Sequence, residues 1–307
     1  MIIIEDNFKE KLLYNTYIAL GSFDGLHKGH LSLIRKAVTL AKENHCKSMV
    51  YTFKNHPMSI INKERMPKLI QSNKDKIKIL EKEEVDILNF ANFNQEYMEI
   101  KPEEFIKKLL EFYKAKGIVV GFNYKFGYKN QGNIELLKEL SKVYDFELFV
   151  FEPVKCNEDI ISSTYIRNLI KNGSVADVVS ILDRPFSIEG IVIEGKKLGR
   201  QLGFPTINLK FDDQMIIPKR GVYFTAVEYK EKVFKGITNV GFNPTVNGTS
   251  LSIETYVLDF HKEVYGEEVK VYFLERIRDE EKFSSLDKLV EILKQDKEYA
   301  EKKEFKL

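Results

Sequence analysis

The chain has 307 residues, 43% hydrophobic and 31% charged, a balance that excludes a disordered chain and leaves room for two cores of ordinary domain size. Its 48 Lys and Arg stand against 46 Asp and Glu, and a net charge of +2 cannot supply a phosphate-tracking stripe, so no nucleic-acid partner is expected. Cys46 and Cys156 make neither a close pair nor a metal-spaced cluster, the opening Met1–Asp6 is too short and acidic for an export signal, and no apolar run reaches bilayer length; a cytoplasmic protein with no membrane partner is expected.

Thr16–Leu20 reads as a buried strand that runs directly into a glycine-containing loop, Gly21-Ser22-Phe23-Asp24-Gly25-Leu26-His27-Lys28-Gly29-His30. Helical periodicity follows over Leu31–Leu40, with Leu33, Ala37 and Leu40 near one stripe. Further strands are expected at Ser48–Phe53, Val85–Phe90, Gly117–Gly121 and Phe146–Phe151, and helices at Lys74–Lys82, Glu103–Lys114 and Ile134–Lys142. Such alternation predicts a mostly parallel sheet with helices on both faces, whose ligands collect beyond the carboxyl ends of the strands.

The pattern changes after Ile160. Ser162-Ser163-Thr164 precedes a helix over Tyr165–Lys171 that Asn172-Gly173 can stop, and a short helix through Asp177–Leu182 follows. Phe186–Glu194, Gly221–Tyr229, Lys232–Val240, Ser250–Asp259 and Glu267–Arg276 then read as strands of a small antiparallel barrel. Ser284-Ser285 can cap a terminal helix through Lys303, with Leu286, Leu289, Ile292 and Leu293 available to cover the barrel. The boundary belongs near residues 158–185, giving domains 1–183 and 184–307.

Two stretches carry phosphate chemistry, and neither has the spacing of GxxxxGK[ST] or GxGxxG. In the first, Gly25 and Gly29 let the backbone turn tightly around His27 and His30. A helix beginning near Gly29 would aim its amides and dipole at an anion, and the imidazoles would stabilise charge on a transferring phosphoryl group. No side-chain nucleophile is needed if a substrate phosphate attacks the α-phosphorus of ATP. Ser163 and Thr164 at a second helix start, Arg167 one turn later as a phosphate clamp, and Asn123 beyond the Gly117–Gly121 strand can close the same site. Each of these alone is equally compatible with helix capping or a structural hydrogen bond.

The second stretch is Gly195-Lys196-Lys197-Leu198-Gly199-Arg200-Gln201-Leu202-Gly203-Phe204-Pro205-Thr206-Ile207-Asn208. Its glycines permit a tight nucleotide-facing loop, and Lys197 and Arg200 can neutralise phosphate. Thr206 and Asn208 lie two apart, on one face of an extended chain, and their oxygens suit Mg2+ completed by phosphate and water. Asn239–Thr245 reads as another polar turn. Glu254, on the strand that follows, can take the proton of a substrate hydroxyl attacking the γ-phosphorus of ATP. Taken singly, the loop could be a plain barrel turn and Glu254 a solvent-facing acid.

Together these segments resemble bacterial bifunctional riboflavin kinase/FAD synthetases (FMN adenylyltransferases). GSFDGLHKGH is similar to the GxFDGxHxGH loop of that family and of the wider HxGH nucleotidyltransferases. Ile161–Arg167 resembles ISSTxIR, and GFNYKFG resembles GxNFxFG. Thr52–Pro57 resembles TFxPHP, with Asn55 in place of proline. Arg184-Pro185-Phe186, the Gly195–Asn208 loop (GxxxGRxxGFPTxN), Asn239–Thr245 (NxGxxPT) and Glu254-Thr255 resemble riboflavin kinase segments, with Tyr256 where histidine is common.

The resemblance covers nearly the whole chain. It implies an α/β parallel-sheet HxGH nucleotidyltransferase domain followed by a small antiparallel β-barrel kinase domain with a terminal helix. It further implies that His27, His30, Ser163, Thr164 and Arg167 bind ATP phosphates, that Asn123 helps organise substrates, and that Thr206 and Asn208 contact Mg2+. Glu254 is then the general base for the riboflavin 5′-hydroxyl. The expected activity is phosphorylation of riboflavin to FMN and adenylylation of FMN to FAD, with ATP, riboflavin and FMN as substrates. The alternatives are one active transferase site, or a non-catalytic flavin and nucleotide sensor. Oligomeric state is not legible.

Overall fold

The computed structural model describes residues 1–156, 159–195, 198–245, 248–281 and 283–307. Its contacts divide the chain into one unit of Met1–Pro67 and Ser72–Ser162 and a second of Lys68–Gln71 and Ser163–Leu307.

The first unit is built on β1 (Ile2–Ile4), β2 (Thr16–Leu20), β3 (Lys47–Phe53), β4 (Ile87–Ala91), β5 (Ala115–Gly121) and β6 (Glu147–Phe151). They form one sheet in the order β1-β4-β3-β2-β5-β6, parallel at every pairing. Its helices are α1 (Lys28–Glu43), α2 (Met58–Ile61), α3 (Asn73–Lys82), α4 (Gln95–Met98), α5 (Pro102–Tyr113) and α6 (Ile134–Val143). A short pair, β7 (Lys155–Cys156) and β8 (Asp159–Ile160), lies outside the sheet.

The two-residue period of β2 shows why its run is apolar throughout. Ile18 and Leu20 pack with Phe105, Ile106 and Leu109 of α5 and with Leu137 and Leu140 of α6. Tyr17 and Ala19 pack with Leu33, Ile34 and Ala37 of α1 and with Leu80 of α3. Helices therefore cover both faces, as the alternating pattern implies.

The second unit begins with α7 (Ser163–Asn172) and α8 (Val175–Leu182). Strands β9 (Phe186–Ile193), β10 (Thr206–Phe211), β11 (Gly221–Tyr229), β12 (Lys232–Thr245), β13 (Gly248–Val257) and β14 (Glu268–Arg278) close a barrel in the order β10-β13-β12-β11-β14-β9. All its pairings are antiparallel. One turn of helix, α9 (Leu198–Gln201), lies in the loop before β10. The segment Lys68–Gln71 adds a small bridge: Leu69 N donates to Gln214 O at 2.8 Å, and Ile216 N donates to Leu69 O at 2.9 Å.

The architecture agrees with the sequence reading, with two local corrections. Asn239–Thr245 is part of β12, not a turn; it pairs with Gly248–Glu254 of β13. Its glycine and proline mark a long extended hairpin arm. Leu286, expected against the barrel, is 60% exposed, because α10 (Leu286–Lys302) makes its buried contacts nearer its other end. There Tyr299 and Ala300, with Phe305 beyond, pack with Val222, Phe224, Ile237 and Leu258.

Asp296 of α10 is buried and ion-pairs Arg278 of β14 at 2.8 Å. Removing Asp296 leaves the half-buried Arg278 guanidinium with its bond to the Asp279 carbonyl but without its carboxylate. Asp296→Ala should therefore destabilise the barrel unit by about 1–3 kcal/mol, read as a lower denaturation midpoint.

Candidate functional site

At the carboxyl end of β2 the chain must turn sharply from a fully buried strand into α1. Phe23 (φ +47°), Gly25 (φ +87°) and Leu26 (φ +33°) all take left-handed backbone conformations. Two bulky residues are strained there. Burial holds them: the side chains of Phe23 and Leu26 sit in the core between the sheet and α1. Gly21 cannot carry a side chain, because a Cβ would lie 2.9 Å from the Phe23 ring.

The turn delivers His27 to the cap of α1, where its Nδ1 accepts from the His30 amide at 3.3 Å. The His27 and His30 rings stack with centroids 3.6 Å apart, and Phe23 meets His30 edge-on at 5.3 Å. His30 Nδ1 is enclosed and has no hydrogen-bond partner among the described residues. Burial, with repulsion from His27 and Lys76, holds the His30 pKa well below its ordinary value. The imidazole is thus neutral near pH 7, with an unused polar atom beside the head of a helix.

The sheet order reverses between β2 and β5, the switch point at which open α/β sheets bind ligands. Gly21–His30 leaves one side of it. Asn123 leaves the other, exposed, with its Oδ1 3.7 Å from where a Cβ on Gly121 would stand. Asp24 is buried in the same loop. Gly21, Phe23, Asp24, Gly25, His27, Gly29 and His30 therefore form one cluster. Ser163, Thr164 and Arg167 are carried by α7 in the second unit, where Arg167 Nε donates to Lys68 O at 2.7 Å.

One group escaped the sequence reading. Lys76 of α3 is 5% exposed, and its Nζ donates to Ser22 O at 3.2 Å. Burial pushes its pKa down to about 8 against the opposing pull of Asp24. The available signal was its place one turn before Leu80, on the apolar side of the helix.

In the second unit, register does what spacing only suggested. Thr206 pairs with Tyr256, and Asn208 with Glu254; Glu254 also pairs with Asn239 on its other flank. Directly paired residues share a face, so Asn208, Glu254 and Asn239 form a row across three strands, with Thr206 two residues along. Thr255 points the opposite way, into a buried chain of hydroxyls with Thr238 at 2.8 Å and Thr225 beyond at 2.9 Å.

The loop before β10 presses on this row. A Cβ on Gly195 would fall 2.2 Å from Asn208 Nδ2, and one on Gly199 2.3 Å from the Phe204 carbonyl oxygen. Gly203 turns at φ +83°, Pro205 follows, and Phe204 packs edge-on against Tyr256 at 5.3 Å. Arg200 pairs with Glu263 at 2.8 Å. Lys197 lies outside the described residues.

Gly195→Ala should push the Asn208 amide aside without disturbing the barrel. Any phosphate chemistry carried by this row should fall by about 10- to 100-fold, checked against the chemistry of the first unit in the same chain.

Among the described residues no three His, Cys, Asp or Glu side chains gather as a metal cluster. The hydroxyl of Thr206 and the amide oxygen of Asn208, on one face beside the Glu254 strand position, are instead hard oxygen donors. They suit a Mg2+ ion that keeps phosphate and water among its ligands.

A parallel sheet with a histidine-bearing loop at its switch point is followed by a closed barrel that sets Glu254 between Asn208 and Asn239, a two-module architecture. The FAD synthetase family model matches residues 9–165, and the riboflavin kinase family model matches residues 182–303. Both modules thus fall among flavin-nucleotide enzymes. The bifunctional riboflavin kinase/FMN adenylyltransferase of Listeria monocytogenes is 34% identical over 92% of this chain and 91% of its own. The Haemophilus influenzae protein of that description is 34% identical, covering 94% of each chain. The chain belongs to the bacterial bifunctional riboflavin kinase/FMN adenylyltransferase family.

A crystal structure described as a macrolide-efflux protein from Streptococcus pneumoniae is 33% identical, with a TM-score of 0.89 over 99% of both chains. That description belongs to the Streptococcus protein. Here no helix among the described residues is long and apolar enough to cross a membrane.

Proposed function

We propose that the barrel unit converts riboflavin and ATP to FMN and ADP, and that the parallel-sheet unit converts FMN and a second ATP to FAD and pyrophosphate. One contrast carries the reading. The barrel sets a carboxylate, Glu254, between Asn208 and Asn239, whereas the sheet sets two stacked imidazoles over a glycine loop.

In the barrel, the Glu254 carboxylate removes the proton of the riboflavin 5′-hydroxyl. The oxygen forms a bond to the γ-phosphorus of ATP as the bond to the ADP oxygen breaks. Thr206 and Asn208 would hold Mg2+, which when bound neutralises phosphate charge. Gly195, Gly199 and Gly203 shape the loop over the nucleotide, with Lys197 and Arg200 as further phosphate partners. Arg200 would exchange Glu263 for phosphate.

In the sheet unit, an FMN phosphate oxygen attacks the α-phosphorus of ATP and pyrophosphate leaves, so no protein nucleophile is required. His27 and His30 hold the triphosphate and stabilise its charge at the head of α1, with Gly21–Gly29 supplying the cradle. Asn123 orients the substrates; Ser163, Thr164 and Arg167 act on the pyrophosphate side. The proposal places both reactions in the cytoplasm, with no nucleic acid or membrane involved.

The test is a time course with riboflavin, ATP and magnesium, separating riboflavin, FMN and FAD. FMN should rise first and FAD follow. Formation of only one product would leave a single active site, and binding without turnover would leave a sensor.

A further inference from the structure

Lys76 stands out among the buried charged groups. A lysine on the covered side of α3 gives up its hydration for one carbonyl contact, at Ser22 O, and a ring face, Phe90, 5.9 Å away. Burying an ammonium group is expensive. Local structure does not require it: the Thr52 hydroxyl already donates to Ser22 O at 2.9 Å, so that carbonyl is satisfied without lysine. Leucine or methionine would fill the same side of the helix at lower cost.

The charge instead faces the glycine loop. Asp24 of the loop attracts it, and the ammonium in turn opposes protonation of His30, as His27 does. Among the described residues, the titratable groups acting on this corner are Asp24 and His27 from the loop and His30 from α1, with the Phe90 ring of β4 beside them.

We infer that Lys76 is a positioning residue for adenylyl transfer: its ammonium pins the Ser22 carbonyl from behind and lends fixed positive charge to the loop that cradles the ATP phosphates. The inference rests on the adenylyl-transfer reading of this unit. It gives the loop a positive charge that the neutral His30 ring does not supply near pH 7. A bound polyphosphate would favour the protonated lysine, and the protonated lysine would favour the polyphosphate, since the two linkages are reciprocal.

The test uses the full chain. For FAD formation from FMN, kcat/KM for ATP should decline as pH rises through about 8, where Lys76 gives up its proton. K76M should lose about 10- to 100-fold in kcat/KM at neutral pH and should lack that alkaline decline. K76R, charged throughout, should recover activity and stay flat through the same range. Riboflavin phosphorylation by the same protein should be unchanged in both variants.

A wild-type profile with no decline above about pH 8 overturns the inference. So does a K76M profile that keeps the wild-type decline. Equal loss of both activities in K76M reports misfolding, and the wild-type and K76R profiles then decide. A wild-type chain that forms no FAD sinks the adenylyl-transfer reading itself; one that does, with K76M matching it at every pH, sinks only the role of Lys76.

Discussion

His30→Ala is expected to cut FAD formation from FMN by about 10²- to 10³-fold while leaving riboflavin phosphorylation near its original rate. The ring stacks on His27, meets Phe23 edge-on and encloses an Nδ1 without a partner among the described residues. Alanine removes that polar group and the stack together. The helix cap survives, because it is His27 Nδ1 that accepts the backbone amide of residue 30. Binding and charge stabilisation should fail while α1 stays folded.

The same residue gives a pH signature with a definite sign. In the folded chain its pKa is well below the ordinary 6.5, so the unfolded chain binds the proton first as pH falls. Stability of the first unit should therefore decline from about pH 6.5 downward, toward the folded-state pKa. His30→Ala should flatten that slope in thermal melts. A variant that lost riboflavin phosphorylation as severely as FAD synthesis would contradict the division of labour.

Glu254→Gln should produce the opposite pattern: FMN formation slowed by about 10²- to 10⁴-fold, and FAD formation intact when FMN is supplied. Glutamine keeps the shape of the side chain and removes its basicity. The β13 pairings with Asn208 and Asn239 are made by backbone and should persist. Retained phosphorylation would assign the proton elsewhere, and an unfolded barrel would show in the circular dichroism before any kinetic reading.

Much of this arrangement can be read in the chain because its signals are local. β2, its glycine loop and α1 follow from a buried run, a turn and a 3.6-residue period. What the sequence withholds depends on distant partners. The pairing of Asn208 with Glu254 is a register, fixed only when β10 and β13 meet. β10 itself is short, with Thr206–Asn208 recognisable as extended chain but its barrel partners unmarked.

Asn239–Thr245 misleads because glycine, asparagine and proline favour turns in isolation, whereas pairing along β13 extends them. The long charged side chain of Lys76 suggests solvent, and only packing against the Ser22 loop reveals its burial.

The Lys68–Gln71 segment bears on any attempt to produce the halves as separate polypeptides. A barrel fragment that starts at residue 163 loses the Leu69 carbonyl that accepts from Ile216 N and the Lys68 carbonyl held by Arg167. It also loses the Gln71 side-chain oxygen that accepts from Arg184 at 3.0 Å. Three donors on the fragment would lose these acceptors in one scissor cut. Weak expression of such a fragment would speak of the missing splint before it spoke of chemistry, and co-supplying a peptide that spans Lys68–Gln71 is the natural complementation.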